Sequence, residues 1–125
     1  DKIYEFPVFV KADKERIEQV LINLIVNSVK YGKINGITTL GIESYTENKF
    51  IIKVVDNGEG IKQEHISRLF ERFYRVDQSR SREQGGSGLG LSIVKHIIEA
   101  HNETILLKST FTEGSEFSFT LKKAK

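Results

Sequence analysis

The stretch ITTLGIESYTENKFIIKVVDNGEG, Ile37 to Gly60, holds two apolar runs with only a short polar break, Glu47-Asn48, between them. That pattern reads as a hairpin, with one arm over Ile37–Tyr45 and the other over Phe50–Val55. A parallel pair needs a crossover of a dozen or more residues, so these arms are antiparallel. The second arm carries adjacent apolar pairs, Ile51-Ile52 and Val54-Val55, instead of strict alternation. Adjacent pairs predict a strand covered on both faces. The polar turn DNGEG follows at once.

Upstream lies ADKERIEQVLINLIVNSVKYG, Ala12 to Gly32. Asp13 is a candidate N-cap, and Arg16 in place of Glu leaves the capping box half made. Ile17, Val20, Leu21, Leu24, Ile25, Ser28 and Val29 follow helical spacing, and Gly32 supplies the stop. Val8-Phe9-Val10 is a short strand candidate before it. Downstream, KQEHISRLFERFYRV is weakly helical, and DQSRSREQGGSG, poor in apolar residues, reads as a loop. Leu89 to Ala100 is helical again, with Leu89, Ile93, Val94, Ile97 and Ile98 on one side. Two strands close the chain, Thr104–Lys108 and Glu116–Leu121, joined by the turn TEGSE. No helix separates the hairpin arms or the last two strands, which argues against a doubly wound dinucleotide fold. The order predicts an α+β sandwich: a mixed, mostly antiparallel five-stranded sheet with three helices on one face.

At 125 residues the chain fits one domain, 1–125, and its missing Met predicts a piece excised from a larger protein. It has no Cys, which excludes disulfide and thiolate chemistry. A net charge of +2 argues for no nucleic-acid partner, and no apolar run is long enough to insert into a membrane.

Three polar features stand out. Asn23 and Asn27 are four apart on one helix stripe, with Lys30 three further on. Asn is a poor helix-interior residue, so either both are exposed or bond a neighbouring loop, or they wall a ligand site. An amide oxygen suits a hard ion such as Mg²⁺, and Lys30 suits a phosphate. Asp56 ends an apolar strand, where a carboxylate is costly unless hydrogen-bonded. It reads either as an ordinary Asp-Asn-Gly turn or as an acceptor for a ligand amino group, with Gly58 and Gly60 letting the backbone approach. Gly86, Gly88 and Gly90 precede a helix, which makes either a linker or an anion site. Arg68, Arg72, Arg75, Arg80 and Arg82 precede them and supply candidate phosphate partners.

Together NLIVNSVKYG, VDNGEGI, FERFYRVD, GGSGLGLSIV and EGSEFSFTL resemble the ATP-binding catalytic domain of two-component sensor histidine kinases. The resemblance runs from about Phe9 to Leu121. It implies the Bergerat-type fold shared with gyrase, heat-shock chaperone and mismatch-repair ATPases. It implies ATP and Mg²⁺ as cofactors, with Asn27 on the metal and Asn23 supporting it. Lys30 and Tyr31 then lie near phosphates and nucleotide edge, and Asp56 accepts the adenine amino group. Gly58 and Gly60 line the adenine pocket. Phe70 and Phe73 anchor a lid over about residues 72–87. Arg72 and Arg75 approach phosphate or the partner domain. Gly86, Gly88 and Gly90 hinge the lid, and Ile61, Ser87, Leu89, Leu91 and Ser115 complete the contact set. Asn27, Lys30 and Arg75 are the implied catalytic residues. The family often has His-Gly-Gly where this chain has His101-Asn102-Glu103, which predicts an altered turn away from the nucleotide.

Relatives that hydrolyse ATP carry a Glu at the position of Asn23, whose amide cannot take a proton. The expected reaction is therefore phosphotransfer, and the resemblance implies transfer of the γ-phosphate to a histidine on a separate dimerisation domain of the same, homodimeric parent, with a response regulator downstream. The domain is expected to be cytoplasmic and its parent anchored in the membrane. The alternatives are an ATP hydrolase or protein kinase of the same fold, or an interaction module that binds no nucleotide.

Overall fold

The computed structural model describes residues 9–30, 36–72 and 90–124, with the side chain of Lys30 left aside. In chain order the elements are β1 (Val10–Lys11), α1 (Lys14–Lys30), β2 (Thr38–Thr46), β3 (Lys49–Asp56), α2 (Gln63–Ile66), α3 (Gly90–Ala100), β4 (Ile105–Thr110) and β5 (Gly114–Lys123). The five strands form one sheet with β5 and β3 at its centre and β2 at one edge. Along the far edge of β5, β4 pairs with the first part of the strand and β1 with its end. Every described pairing is antiparallel.

The hairpin stands as its sequence predicts, turning at Glu47-Asn48. Ile51, Ile52 and Val54 are all buried, so β3 is covered on both faces. In β5, Phe117, Phe119 and Leu121 alternate onto the helix side, as a period of two demands. They meet Val20 and Leu24 of α1, Val94, Ile97 and Ile98 of α3, and Ile52 and Val54 of β3. Each fully buried side chain of this size contributes about 1.5–3 kcal/mol, so this cluster dominates stability.

Helix α1 starts where Asp13 caps it: Oδ1 accepts the Arg16 N–H at 3.3 Å and the backbone carbonyl accepts that of Ile17 at 2.9 Å. Its buried stripe is Val20, Leu24 and Ser28, spaced i, i+4, i+8. Ile25 and Val29, expected on that stripe, are 37% and 71% exposed. At 100° per residue Val29 lies about 140° round from Leu24, beyond the reach of the core. With Ile22 and Val26 they form an apolar outer face.

The first strand also differs from expectation. It is Val10–Lys11; Phe9 is exposed outside it, and Val8 lies outside the described residues. Among the described residues of KQEHISRLFERFYRV one helical turn forms, Gln63–Ile66, followed by turns through Arg72. Leu69 enters the core, and Phe70 meets Phe117 edge-on, ring centroids 6.1 Å apart.

His101 ties the ends of the two long helices together. Its Nε2 accepts the Asp13 N–H at 3.0 Å, and Nδ1 lies 2.9 Å from the Ile97 carbonyl. A carbonyl only accepts, so the Nδ1–H tautomer satisfies both bonds.

Candidate functional site

The site is built around the C-terminal end of β3. Asp56 is only 9% exposed. Its Oδ1 accepts the Gly58 N–H at 2.9 Å, and its carboxylate also accepts the backbone N–H of Ser115, its partner across the sheet. Burial pushes the Asp56 pKa above the usual carboxylate range, and the Gly58 and Ser115 hydrogen bonds pull it partly back. A carboxylate offers about four acceptor positions, so the backbone leaves capacity for an incoming donor.

The loop after Asp56 is pinned on both sides. Toward β2, Asn57 exchanges two bonds with Ile37: Oδ1 accepts the Ile37 N–H at 2.7 Å, and the Asn57 N–H donates to the Ile37 carbonyl at 3.2 Å. Toward the β4–β5 turn, the Ile61 N–H donates to Ser109 Oγ at 2.8 Å, and the Thr112 N–H to the Glu59 carbonyl at 2.6 Å. Lys62 Nζ sits 5.2 Å from the centre of the Phe111 ring.

Two glycines make this junction possible. Gly60 has φ +72°, and a Cβ there would overlap the Thr110 carbonyl. Gly114 has φ +139°, and a Cβ there would overlap the carbonyl of Asp56 itself. Gly60 is thus required by packing against protein backbone, a demand separate from any ligand's approach.

A hydroxyl pair joins α1 to the same end of the sheet. Ser28 Oγ donates to the Ile25 carbonyl at 2.8 Å, which uses its single proton. The Thr38 hydroxyl, 3.0 Å away, therefore donates to Ser28. Thr38 pairs with Asp56 in the β2–β3 ladder. The helix is thereby fixed to the Asp56 end of the sheet immediately after Asn27.

On the flank of α1, Asn23 Nδ2 donates to the Gly90 carbonyl at 3.3 Å, at the start of α3. Asn23 thus bonds a neighbouring segment, one of the two readings its sequence left open. Asn27, half-buried, lies one turn further along the same face. A Cβ on Gly90 would meet nothing within 4 Å among the described residues, so their packing does not demand that glycine. Among the described residues no three His, Cys, Asp or Glu side chains gather into a metal cage. A single amide oxygen fits Mg²⁺, which keeps waters and binds chiefly through substrate phosphates.

The structure therefore brings Asp56, Gly58, Gly60, Ile61 and Ser115 into one junction, and Asn23 and Gly90 into contact. Leu91 and Phe70 pack against the core and Arg72 is exposed. Arg68 forks onto Glu71 at 3.2 Å. Tyr31, Gly32, Phe73, Arg75, Arg80, Arg82, Gly86, Ser87, Gly88, Leu89 and most of the expected lid lie outside the described residues. Sequence reasoning missed Thr38, Ser109 and Gly114. Thr38 reads as an ordinary strand residue, Ser109 falls just past the expected strand Thr104–Lys108, and the TEGSE turn gave no sign that its glycine meets Asp56.

The altered turn is accommodated without strain at Glu103. Asn102 takes the left-handed conformation, φ 59°, and Glu103 does not. The Glu103 side chain is 2% exposed, with Oε1 accepting from Lys49 Nζ at 2.9 Å and from the Thr120 hydroxyl at 2.7 Å. Oε2 is buried without a hydrogen-bond partner among the described residues. Burial raises the Glu103 pKa, but the Lys49 and Thr120 hydrogen bonds and the Lys49 and Lys122 charges outweigh it, leaving a net lowering.

Residues 12–125 match the family of histidine kinase-, DNA gyrase B- and HSP90-like ATPases. The chain belongs to that family. It is 40% identical over 115 residues to the sensor histidine kinase WalK of Bacillus subtilis, covering 91% of this chain and 19% of that protein. It is 38% identical over the same length to the sensor protein kinase WalK of Staphylococcus saprophyticus, with the same coverage. The chain thus spans about a fifth of the curated relatives it matches. Among solved structures, the catalytic domain of histidine kinase ThkA superposes with a TM-score of 0.76 at 32% identity, covering 91% of this chain and 71% of that one. Full-length ShkA in complex with AMPPNP gives 0.79 at 27% identity, covering 94% of this chain and 24% of that one. These likenesses establish the five-stranded sheet with helices on one face as the family's α/β sandwich. No helix among the described residues is long and apolar enough to cross a membrane.

Proposed function

We propose that this chain binds Mg-ATP and presents its γ-phosphate to a histidine on a separate dimerisation domain of the parent protein. The observation that carries the reading is Asp56. It is a buried carboxylate with spare acceptor capacity, held by two backbone N–H groups, in a loop pinned on both sides. Such a group suits the exocyclic amino group of adenine. Gly58, Gly60, Ile61 and Ser115 form the walls around it. Asn27 supplies the amide oxygen for Mg²⁺, which neutralises phosphate charge when bound. Lys30, Tyr31, Arg72 and Arg75 complete the phosphate side with Gly86, Ser87, Gly88, Leu89, Gly90 and Leu91, the lid spanning about residues 72–87 of a single domain, 1–125.

The chain's own share of the chemistry is positioning and charge neutralisation, the usual demand of phosphoryl transfer. Asn23 supports transfer over hydrolysis. Its amide donates to the Gly90 carbonyl and offers no basic group to deprotonate water. The names of the relatives support a sensor-kinase parent in two-component signalling. We assign that parent a homodimeric assembly, a membrane anchor and a downstream response regulator, with this domain in the cytoplasm.

The test has two parts. Calorimetry with a non-hydrolysable ATP analogue and Mg²⁺ should give binding. Radiolabelled ATP should then label the parent's dimerisation domain, supplied separately, at its histidine. Steady-state ATP hydrolysis by the chain alone with no transfer to that histidine would replace this reading with the hydrolase.

A further inference from the structure

Ser109 lies in β4, away from every motif that identified the site, yet its Oγ is in reach of three polar groups at the Asp56 junction. It accepts the Ile61 N–H at 2.8 Å, lies 3.1 Å from the Gly114 carbonyl, and lies 2.7 Å from the Ser115 hydroxyl. A hydroxyl has one proton and two lone pairs. The N–H can only donate, so it takes one lone pair. The carbonyl can only accept, so it takes the proton. Satisfying all three contacts at once leaves one lone pair for Ser115, whose hydroxyl is then the donor in that contact. Its own oxygen is left with lone pairs alone.

Ser115 pairs directly with Asp56 in the β3–β5 register, and residues so paired project from the same face of the sheet. Both are at least nine-tenths buried. The end of the sheet therefore presents two neighbouring groups that only accept hydrogen bonds, a carboxylate and a polarised hydroxyl oxygen.

We propose that Ser109 is a base-selectivity residue acting through Ser115. By consuming the Ser115 proton it makes the pocket select a purine whose position 6 carries an amino donor and reject one whose position 6 carries a keto oxygen. This rests on the reading that the Asp56 junction holds the base of the nucleotide. Ser109 is a positioning residue and touches no ligand itself.

The experiment measures calorimetric affinities of the whole chain for ATP and for inosine triphosphate, which has a keto oxygen in place of the amino group. Wild type should prefer ATP. Ser109→Ala frees the Ser115 proton to turn toward the ligand, so the preference should shrink roughly five- to tenfold. Ser109→Thr keeps a hydroxyl and should keep the preference. Equal weakening of both nucleotides in Ser109→Ala, with the ratio unchanged, would show that Ser109 merely braces the turn and overturn the proposal. Should Ser109→Ala not fold, Ser115→Ala removes the polarised oxygen and must shrink the ratio likewise; an unchanged ratio there overturns the proposal too. Wild-type binding of neither nucleotide would sink the nucleotide-site reading itself, and this inference with it.

Discussion

Replacing Asp56 with Asn separates what the carboxylate does for the ligand from what it does for the fold. The carboxylate takes the Gly58 N–H on Oδ1 at 2.9 Å, with Ser115 as a second backbone partner. Asn keeps the shape but turns one acceptor into a donor. Whichever way the amide faces, a donor meets either a backbone N–H or the adenine amino group. The lost bond is a charge-assisted one, worth about 1.5–3 kcal/mol, so nucleotide affinity should fall about 10- to 150-fold. Stability should move little, because burial disfavours the ionised form and Asn removes that cost. The pH dependence follows with a definite sign. The folded pKa lies above the unfolded value, about 3.9, so the ionised group opposes folding at neutral pH. That penalty is relieved as pH falls through the folded pKa. Affinity for ATP should fall over the same interval, because a proton then occupies an acceptor, and Asp56→Asn should flatten that response. Calorimetry with an ATP analogue across pH, with urea denaturation of the free protein beside it, reads all of these. An Asp56→Asn variant that binds within threefold of wild type at neutral pH would refute the adenine role.

Other substitutions test the surrounding frame. Gly114→Ala puts a Cβ onto the Asp56 carbonyl at a φ of +139°, and should cost about 3 kcal/mol or more by urea denaturation. Gly41→Ala, whose Cβ meets nothing, is the control and should be neutral or slightly stabilising. Gly90→Ala should leave stability equal or up to about 1 kcal/mol higher, since open space surrounds it in a helix. Its ATP affinity should nevertheless drop roughly tenfold if phosphates approach the backbone there. Unchanged affinity would remove Gly90 from the phosphate site. Lys49→Ala strips the buried Glu103 carboxylate of its cation and leaves Thr120 as donor, at a cost of about 1–2 kcal/mol near neutral pH. The Glu103 pKa is lowered on folding, so its stabilisation is present above the unfolded value of about 4.3 and is lost as pH falls through the folded one. The Lys49→Ala deficit should shrink over that acidic interval; a deficit constant with pH would place it in packing alone.

Local pattern carried the fold a long way. The hairpin, the capped first helix and the alternating β5 all follow from spacing and turn chemistry within a few residues. Asp56 was conspicuous because a carboxylate ending an apolar strand is costly, and that cost is a local property. Thr38, Ser109 and Gly114 were not legible. Their roles depend on which strands pair and in what register, and nothing within their own segments distinguishes them from ordinary strand and turn residues. Ile25 and Val29 misled for a related reason. They are apolar on an apolar helix, and only the position of α3 and the sheet decides which side is inside.

How the two proposed halves of the site are held bears on how binding energy is spent. The half proposed to hold the base is fixed by the protein's own bonds. Two bonds join Asn57 to Ile37, two more tie Glu59 and Ile61 to the β4–β5 turn, and two glycines allow the backbones to touch. Ordering it on binding costs little, so its hydrogen bonds convert efficiently into affinity. On the side proposed for the phosphates, a 3.3 Å bond from Asn23 to Gly90 links α1 to α3 among the described residues. A bond of that length is at the weak end of its range. Losing it should spare the base half. Asn23→Ala should therefore weaken ATP more than adenosine, measured side by side. Equal loss for both would mean that the α1–α3 contact shapes the adenine pocket itself, and that the two halves act as one rigid unit.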